Sequence, residues 1–245
     1  MLWTVKKKLW KNKMLALKNI SAGYGKKAVL KDISVMFRDN CVTVIMGANG
    51  AGKSTLLKTA FGVIKPISGN IYLDGKKIYA TPQNLVKKGI CFIPQRDRVF
   101  PEMSVLENLE LATHSWADRS LFPKYLDDVL KYFPDLREKL SISAGELSGG
   151  QQQMVALARG LIGKPKMILM DEPSIGLSPK LINDVFHKIK DLQTRTGTAF
   201  VIVEHNLKTL LPLTDYAYIL MDGKIAYDGP SDNKTLDKMT SVVFQ

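Results

Sequence analysis

The stretch Val42-Thr-Val-Ile-Met46, Gly47-Ala-Asn-Gly-Ala-Gly52-Lys53-Ser54-Thr55, Leu56-Leu57-Lys58 decides the fold. It reads as an apolar strand, a glycine-rich loop and the opening of a helix. Its middle matches G-x-x-x-x-G-K-[ST], and the match stands in the strand–loop–helix context that such a loop requires. Glycines let successive backbone N–H groups turn inward around phosphate oxygens, and the N-terminus of the following helix adds positive potential. Gly47, Ala48, Asn49, Gly50, Ala51, Gly52, Lys53, Ser54 and Thr55 are therefore read as a phosphate cradle rather than a chance glycine turn. Lys53 would reach the β- and γ-phosphates, and the Ser54 hydroxyl would ligate Mg²⁺.

Such a loop needs a carboxylate at the end of a neighbouring strand. Met167-Ile-Leu-Met170-Asp171-Glu172 supplies one, as four apolar residues followed by two acids. Asp171 would hold the Mg²⁺. Glu172, at the strand exit, could orient or deprotonate an attacking water. Taken alone, the pair could also be helix N-terminal acids placed before Pro173.

Farther out, Val42–Met46, Met167–Met170 and Phe200–Val203 are apolar without alternation, as expected of parallel strands buried on both faces. From Leu30 to Phe37, Ile33, Val35 and Phe37 alternate with Asp32, Ser34 and Met36, which suits a half-buried strand. Two Asp-Gly pairs, Asp74-Gly75 and Asp222-Gly223, each sit between strand-like runs and read as tight hairpins. Between about Glu102 and Leu161 the pattern turns helical. Ser104 and Glu107 form a capping box ahead of Val105, Leu109 and Ala112. Tyr125, Val129 and Tyr132 repeat at helical spacing, and Leu181, Val185, Ile189 and Leu192 mark a later helix over the sheet. The expected architecture is α/β: a P-loop NTPase core with a mixed sheet, an antiparallel β subdomain and a helical insertion of about fifty residues.

Composition narrows the class. The 245 residues are 45% hydrophobic and 24% charged, as in an ordinary globular chain rather than a collagen-like or disordered one. Cys41 and Cys91 cannot build a disulfide framework and lie in no CxxC pattern, so a reducing compartment is expected. Net charge is +12. Nine lysines and no acid fall between Met1 and Lys31. Such a balance suits polyanions or an anionic membrane surface, or simply a solvated surface. No apolar run approaches the ~18 residues of a membrane span, and the start MLWTVKKKLWKNK lacks the apolar core of a signal peptide. Residues 1–13 read as a basic extension ahead of a single domain over 14–245. Within it, 14–95 and 162–230 would form the core and β subdomain, about 96–161 the helical subdomain, and 231–245 a terminal segment.

Leu147-Ser148-Gly149-Gly150-Gln151 places a serine and two glycines just before the helix that carries Met154, Val155, Leu157, Ala158 and Leu161. This is a second helix N-terminus suited to an anion, or a plain N-cap turn. The pentapeptide resembles the signature of the ATP-binding cassette (ABC) ATPases, and the resemblance runs from Met14 to Gly229 with further motifs in family order. It implies the ABC ATPase fold, ATP hydrolysis with Mg²⁺, and a dimer in which each ATP lies between one P-loop and the partner's Ser148–Gln151. Tyr24 would stack on adenine. Gln95 would contact Mg²⁺ or the water and report nucleotide state to the helical insertion, and His205 would reach the γ-phosphate. Ser178 stands where most cassettes have an aspartate. His114 and His187 match no motif.

Finer resemblance points to the ATPases of branched-chain amino-acid importers. It rests on Ile93-Pro-Gln-Arg-Asp-Arg-Val-Phe-Pro101 through Leu109, Tyr132–Leu136, Gln151–Met154 and Glu172–Pro179; Gln95 and His205 occupy positions where many members of that group carry other residues. It implies a peripheral subunit on the inner, cytoplasmic face of the cell membrane. The partners would be polytopic permease subunits, a second and different cassette, and, indirectly, an extracytoplasmic solute-binding protein. Val99-Phe100-Pro101 would line the groove that receives the permease. The same motifs also fit a lipid or lipopolysaccharide exporter ATPase and a soluble ABC ATPase of iron–sulfur assembly. Nucleic-acid-linked ABC ATPases usually carry a long coiled coil or two cassettes, and neither pattern is present.

Overall fold

The computed structural model describes residues 14–25, 27–96, 98–116, 118–205 and 207–231. The basic stretch 1–13, and the terminal segment from residue 232 on, lie outside the described residues. Strand β1 (Leu15–Tyr24) pairs antiparallel with β2 (Lys27–Phe37), setting Leu15 opposite Phe37 and Leu17 opposite Val35. The expected alternation of β2 is seen, with Ile33, Val35 and Phe37 buried. β4 (Ser68–Leu73) adds to the other edge of β1, and β5 (Lys76–Ile78) follows it through the Asp74-Gly75 turn.

The second sheet holds β3 (Val42–Met46), β6 (Ile90–Ile93), β7 (Met167–Asp171), β8 (Ala199–Val203), β9 (Tyr216–Met221) and β10 (Lys224–Pro230). Its order is β10-β9-β3-β8-β7-β6; all neighbours are parallel except β9 and β10, which are joined by the Asp222-Gly223 turn. The three unalternating runs are the central strands β3, β7 and β8, buried throughout. Their side chains divide between two cores. Val44, Ile168, Met170, Phe200 and Ile202 share a core with the helices of Val105–Glu110, Gly149–Leu161 and Pro179–Thr196, whereas Ile45, Leu169, Val201 and Val203 share one with the antiparallel sheet and the helix Lys53–Ala60. Each such side chain contributes about 1.5–3 kcal/mol by leaving water, which is why no polar alternation survives in these strands.

Seven α-helices complete the described residues: α1 (Lys53–Ala60), α2 (Pro82–Lys87), α3 (Val105–Glu110), α4 (Phe122–Leu130), α5 (Gly149–Leu161), α6 (Pro179–Thr196) and α7 (Leu207–Leu210). The Ser104–Glu107 capping box opens α3 as expected, with Ser104 Oγ accepting from the Glu107 N–H at 3.2 Å. The stretch Glu102–Leu161 is nonetheless less continuously helical than its pattern suggests. Single turns of 3₁₀-helix at Leu111–Thr113 and Ala144–Glu146, and a longer one at Pro134–Lys139, separate the helices. Proline has no N–H to give and no freedom in φ, so Pro134 restarts the chain instead of extending α4. Phe122, Val129 and Leu130 are the buried residues of α4. Tyr125 and Tyr132 lie at its margin, against the Trp116 edge at 5.1 Å and under the Arg195 guanidinium at 4.7 Å.

β6 has no counterpart in the sequence reading. Its four residues are too few for a period to register; only pairing with β7 defines it. On α6 the buried stripe is Ile182, Val185, Phe186, Ile189 and Leu192. Leu181, expected in that stripe, instead lies over Gly150, where an added Cβ would fall 2.9 Å from its Cδ2. Parallel order brings the exits of β3, β8, β7 and β6 to one edge of the sheet, where open α/β sheets bind ligands.

Candidate functional site

The loop between β3 and α1 has the geometry its glycines predict. Gly47 has φ 149°, and a Cβ there would fall 2.1 Å from the Leu220 carbonyl oxygen. Gly52, at φ 104°, is the N-cap of α1. Lys53 is 5% exposed and folds back over the loop, its Nζ donating to the Gly47 and Ala48 carbonyls at 2.9 Å each. Burial pulls its pKa below the usual lysine value, and the Glu172 carboxylate opposes that shift. The ammonium is thus held inside the loop by two backbone carbonyls.

The Ser54 hydroxyl donates to Asp171 Oδ1 at 2.8 Å. Asp171, at the end of β7, is 2% exposed; burial raises its pKa, and the Ser54 bond lowers it. The hydroxyl and carboxylate converge on one point at the loop mouth. Both are hard oxygen donors, the type that suits Mg²⁺. Among the described residues, no group of three or more His, Cys, Asp or Glu side chains could hold a metal ion unaided. A cation here would draw its remaining ligands from phosphate oxygens and water, the usual Mg²⁺ arrangement.

Glu172 begins the loop after β7 with a left-handed backbone, φ 46°, and its N–H donates to the Val203 carbonyl at 2.9 Å. Its side chain gathers the two residues placed by resemblance. Gln95 Nε2 donates to Glu172 Oε2, and His205 Nε2 stands 2.8 Å from Oε1. Three residues from three strand exits therefore meet around one carboxylate. The adjoining cavity, about 410 Å³, is lined by Asn49, Glu172, Ser174, Ile175, Glu204 and His205. Ser174 and Ile175 fall in the quoted stretch Glu172–Pro179, and Arg98, which bonds the Ile175 carbonyl, falls in Ile93–Pro101, but the sequence assigned no role to any of them or to Glu204. The one available signal was Glu204, an acid directly after the buried strand Ala199–Val203, where a carboxylate must find hydrogen-bond donors.

Other candidates stand apart. Tyr24, at the end of β1, is 56% exposed. Ser148–Gln151 opens α5 with a reciprocal capping box: Ser148 Oγ accepts from the Gln151 N–H at 3.4 Å, and Gln151 Oε1 accepts from the Ser148 N–H at 3.0 Å. None of these residues lines the Glu172 cavity. Ser178 is the N-cap of α6 and makes no side-chain capping bond.

A second concavity, about 710 Å³, is a groove whose walls include Phe61, Phe92, Phe100, Trp116 and Arg159. Of Val99, Phe100 and Pro101, only Phe100 lines this concavity, with 52% of its surface exposed. Val99 is buried in the core, and the Pro101 carbonyl accepts from Ser143 Oγ and the Gly145 N–H. His114 lines this groove, and His187 is exposed on α6.

A family profile described as ABC transporter matches residues 30–175. The chain is 40% identical over 213 residues to the high-affinity branched-chain amino acid transport ATP-binding protein BraG of Pseudomonas aeruginosa, covering 86% of this chain and 91% of that protein. Among solved structures it resembles the ADP conformation of MJ1267, an ATP-binding cassette of an ABC transporter. That likeness has a TM-score of 0.83 and 32% identity, covering 94% of this chain and 95% of the other. A dimeric post-hydrolysis state of the cassette MJ0796, bound to ADP and Pi, aligns with a TM-score of 0.76 and 27% identity over 90% of this chain and 100% of that one.

Proposed function

This chain belongs to the ABC transporter family and is an ATPase of it, and we propose that it drives uptake of branched-chain amino acids through separate membrane subunits. The observation that carries the chemistry is the meeting of Gln95 and His205 on the two oxygens of Glu172 beside the P-loop. The relative BraG, named for branched-chain amino acid transport, carries the substrate class. Among the described residues no helix is long and apolar enough to cross a membrane, so passage of a solute would belong to other subunits, with this chain on the inner face.

Backbone N–H groups of Gly47–Thr55 would cradle the phosphates while Lys53 leaves its two carbonyls for the β- and γ-oxygens. Ser54, Asp171 and Gln95 would hold Mg²⁺, which when bound neutralises charge on the β- and γ-phosphates. Gln95 and His205 engage both Glu172 oxygens. Arrival of the γ-phosphate would draw His205 onto it and free Oε1 for a water. Glu172 would take the proton as the water oxygen bonds to the γ-phosphorus, and the bond to the β–γ bridging oxygen breaks, leaving ADP and phosphate. Ser148–Gln151 lies outside the Glu172 cavity, which supports its acting on the nucleotide of a second cassette. The importer resemblance favours a different chain as that partner. Tyr24 would stack on adenine from its exposed place at the end of β1.

The test is capture of partners from native membranes with tagged Glu172→Gln protein and ATP, read by mass spectrometry. Two polytopic membrane proteins and a second cassette are the expected catch. Recovery of soluble assembly proteins alone would overturn the transport reading and leave the ATPase chemistry in place.

A further inference from the structure

The loop that carries Glu172 is held by two residues to which no motif assigns a role, Glu204 and Arg98. Glu204 is 1% exposed, and its two oxygens accept from the Ser174 N–H and the His205 N–H at 2.8 Å each. Arg98 donates Nη2 to the Ile175 carbonyl at 2.8 Å and Nε to the Gln95 carbonyl at 3.1 Å. Burial depresses the Arg98 pKa, and the nearby Glu204 carboxylate opposes that shift.

Arg98 is itself tied to the groove. Its carbonyl accepts from Arg159 Nη2 at 2.5 Å, and Arg159 Nη1 lies 3.4 Å from Asn108 Oδ1. Asn108, fully buried, closes the turn that presents Phe100: it accepts from the Phe100 N–H at 2.8 Å and donates to the Phe100 and Ser104 carbonyls at 2.9 and 3.0 Å. A hydrogen-bonded path thus runs from the Glu172 loop through Arg98, Arg159 and Asn108 to an exposed aromatic in the groove wall.

A non-glycine residue held at φ 46° costs roughly 1–2 kcal/mol, and it persists only where surrounding contacts impose it. We propose that Arg98 and Glu204 are positioning residues: they clamp Ser174 and Ile175 so that the Glu172 carboxylate stays between Gln95 and His205, and Arg98 makes the setting of Phe100 depend on that of Glu172. The proposal rests on the ATPase reading above. Arginine is required because a planar fork donates along two directions at once, whereas a lysine ammonium on a single flexible stem cannot span both carbonyls. Glu204 is required because two N–H groups face it, and an amide would present one of them with a donor.

Arg98→Lys, which keeps the charge, and Glu204→Gln are the decisive variants. For both we expect ATP affinity within about twofold of the parent and a fall in kcat of roughly tenfold to hundredfold, the scale of a misplacement of about 1 Å. A purely structural role would move melting temperature and affinity instead. The second readout is hydrogen exchange on a Glu172→Gln background with saturating Mg-ATP. Nucleotide should slow exchange at residues 47–55 in the parent and in the Arg98→Lys variant, but slow it at 99–108 in the parent alone. Equal protection of 99–108 in both proteins, or unchanged kcat in Arg98→Lys, overturns the proposal. A parent whose residues 47–55 gain no protection from ATP overturns the functional reading, and the clamp with it.

Discussion

Ser54 and Asp171 lie 117 residues apart in the chain, yet the Ser54 hydroxyl donates to Asp171 Oδ1 at 2.8 Å. One sits in the first turn of α1 and the other at the end of β7, so only the packing of helix onto sheet joins them. If the pair is a cation site, the cation should add to ATP affinity through both. In Asp171→Asn, titration with ATP in the presence and absence of Mg²⁺ should show the metal-dependent gain reduced by about tenfold or more, or about 1.4 kcal/mol. Metal-free binding should change little. An undiminished Mg²⁺ gain in the variant would remove Asp171 from the site.

His205 makes its contact with Glu172 from the side of the cavity, and 40% of its side chain is exposed. Its removal should therefore cost little stability and much chemistry. In His205→Ala, kcat should fall on the order of 10²–10³-fold, the range for loss of one donor aimed at developing charge. Melting temperature should stay within about 1 °C. A large thermal shift with retained turnover would make it a structural histidine.

Two glycines of the same loop should answer differently to the same change. At Gly50, φ is 81° and an added Cβ meets no atom within 4 Å, so Gly50→Ala should cost only the left-handed strain, about 1–2 kcal/mol. At Gly47 the Cβ would fall 2.1 Å from the backbone oxygen of Leu220, which cannot rotate away. Gly47→Ala should cost roughly 3 kcal/mol or more, strain and overpacking together. Urea unfolding of the two variants checks the ranking, and equal midpoints would contradict it.

What could be read in the sequence was what neighbouring residues settle among themselves. The turn through Gly47–Gly52, the two Asp-Gly hairpins and the Ser104 cap each depend on a few consecutive residues, and each stands where its residues place it. The sheet order is different in kind. Gln95 and Glu172 are 77 residues apart, and they meet because β6 pairs with β7; no local pattern records that pairing. β6 itself was invisible for the same reason. Arg98 and Asn108 lie in the stretch Ile93–Leu109 and Arg159 in no motif, and nothing local marks any of the three as more than an ordinary polar residue. The structure shows Arg98 and Arg159 spending donors on backbone carbonyls 77 and 61 residues away, and Asn108 closing its own turn.

Phe100 is the last residue whose exposure asks for an explanation. An aromatic ring 52% exposed in the wall of a concavity of about 710 Å³, beside Phe92, Trp116 and the Arg159 guanidinium at 5.7 Å, is better suited to a partner than to water. Its backbone is fixed by Asn108, so replacing the side chain should leave the turn intact and cost within about 0.5 kcal/mol. Phe100→Asp should keep ATP affinity and melting temperature near those of the parent while losing co-purification with membrane subunits and transport. Because Arg159 could pair with the new carboxylate, Phe100→Lys serves as a second variant in which the two charges repel, and it should give the same result. Retained transport and membrane association in both variants would show that the groove is not where the membrane subunits dock.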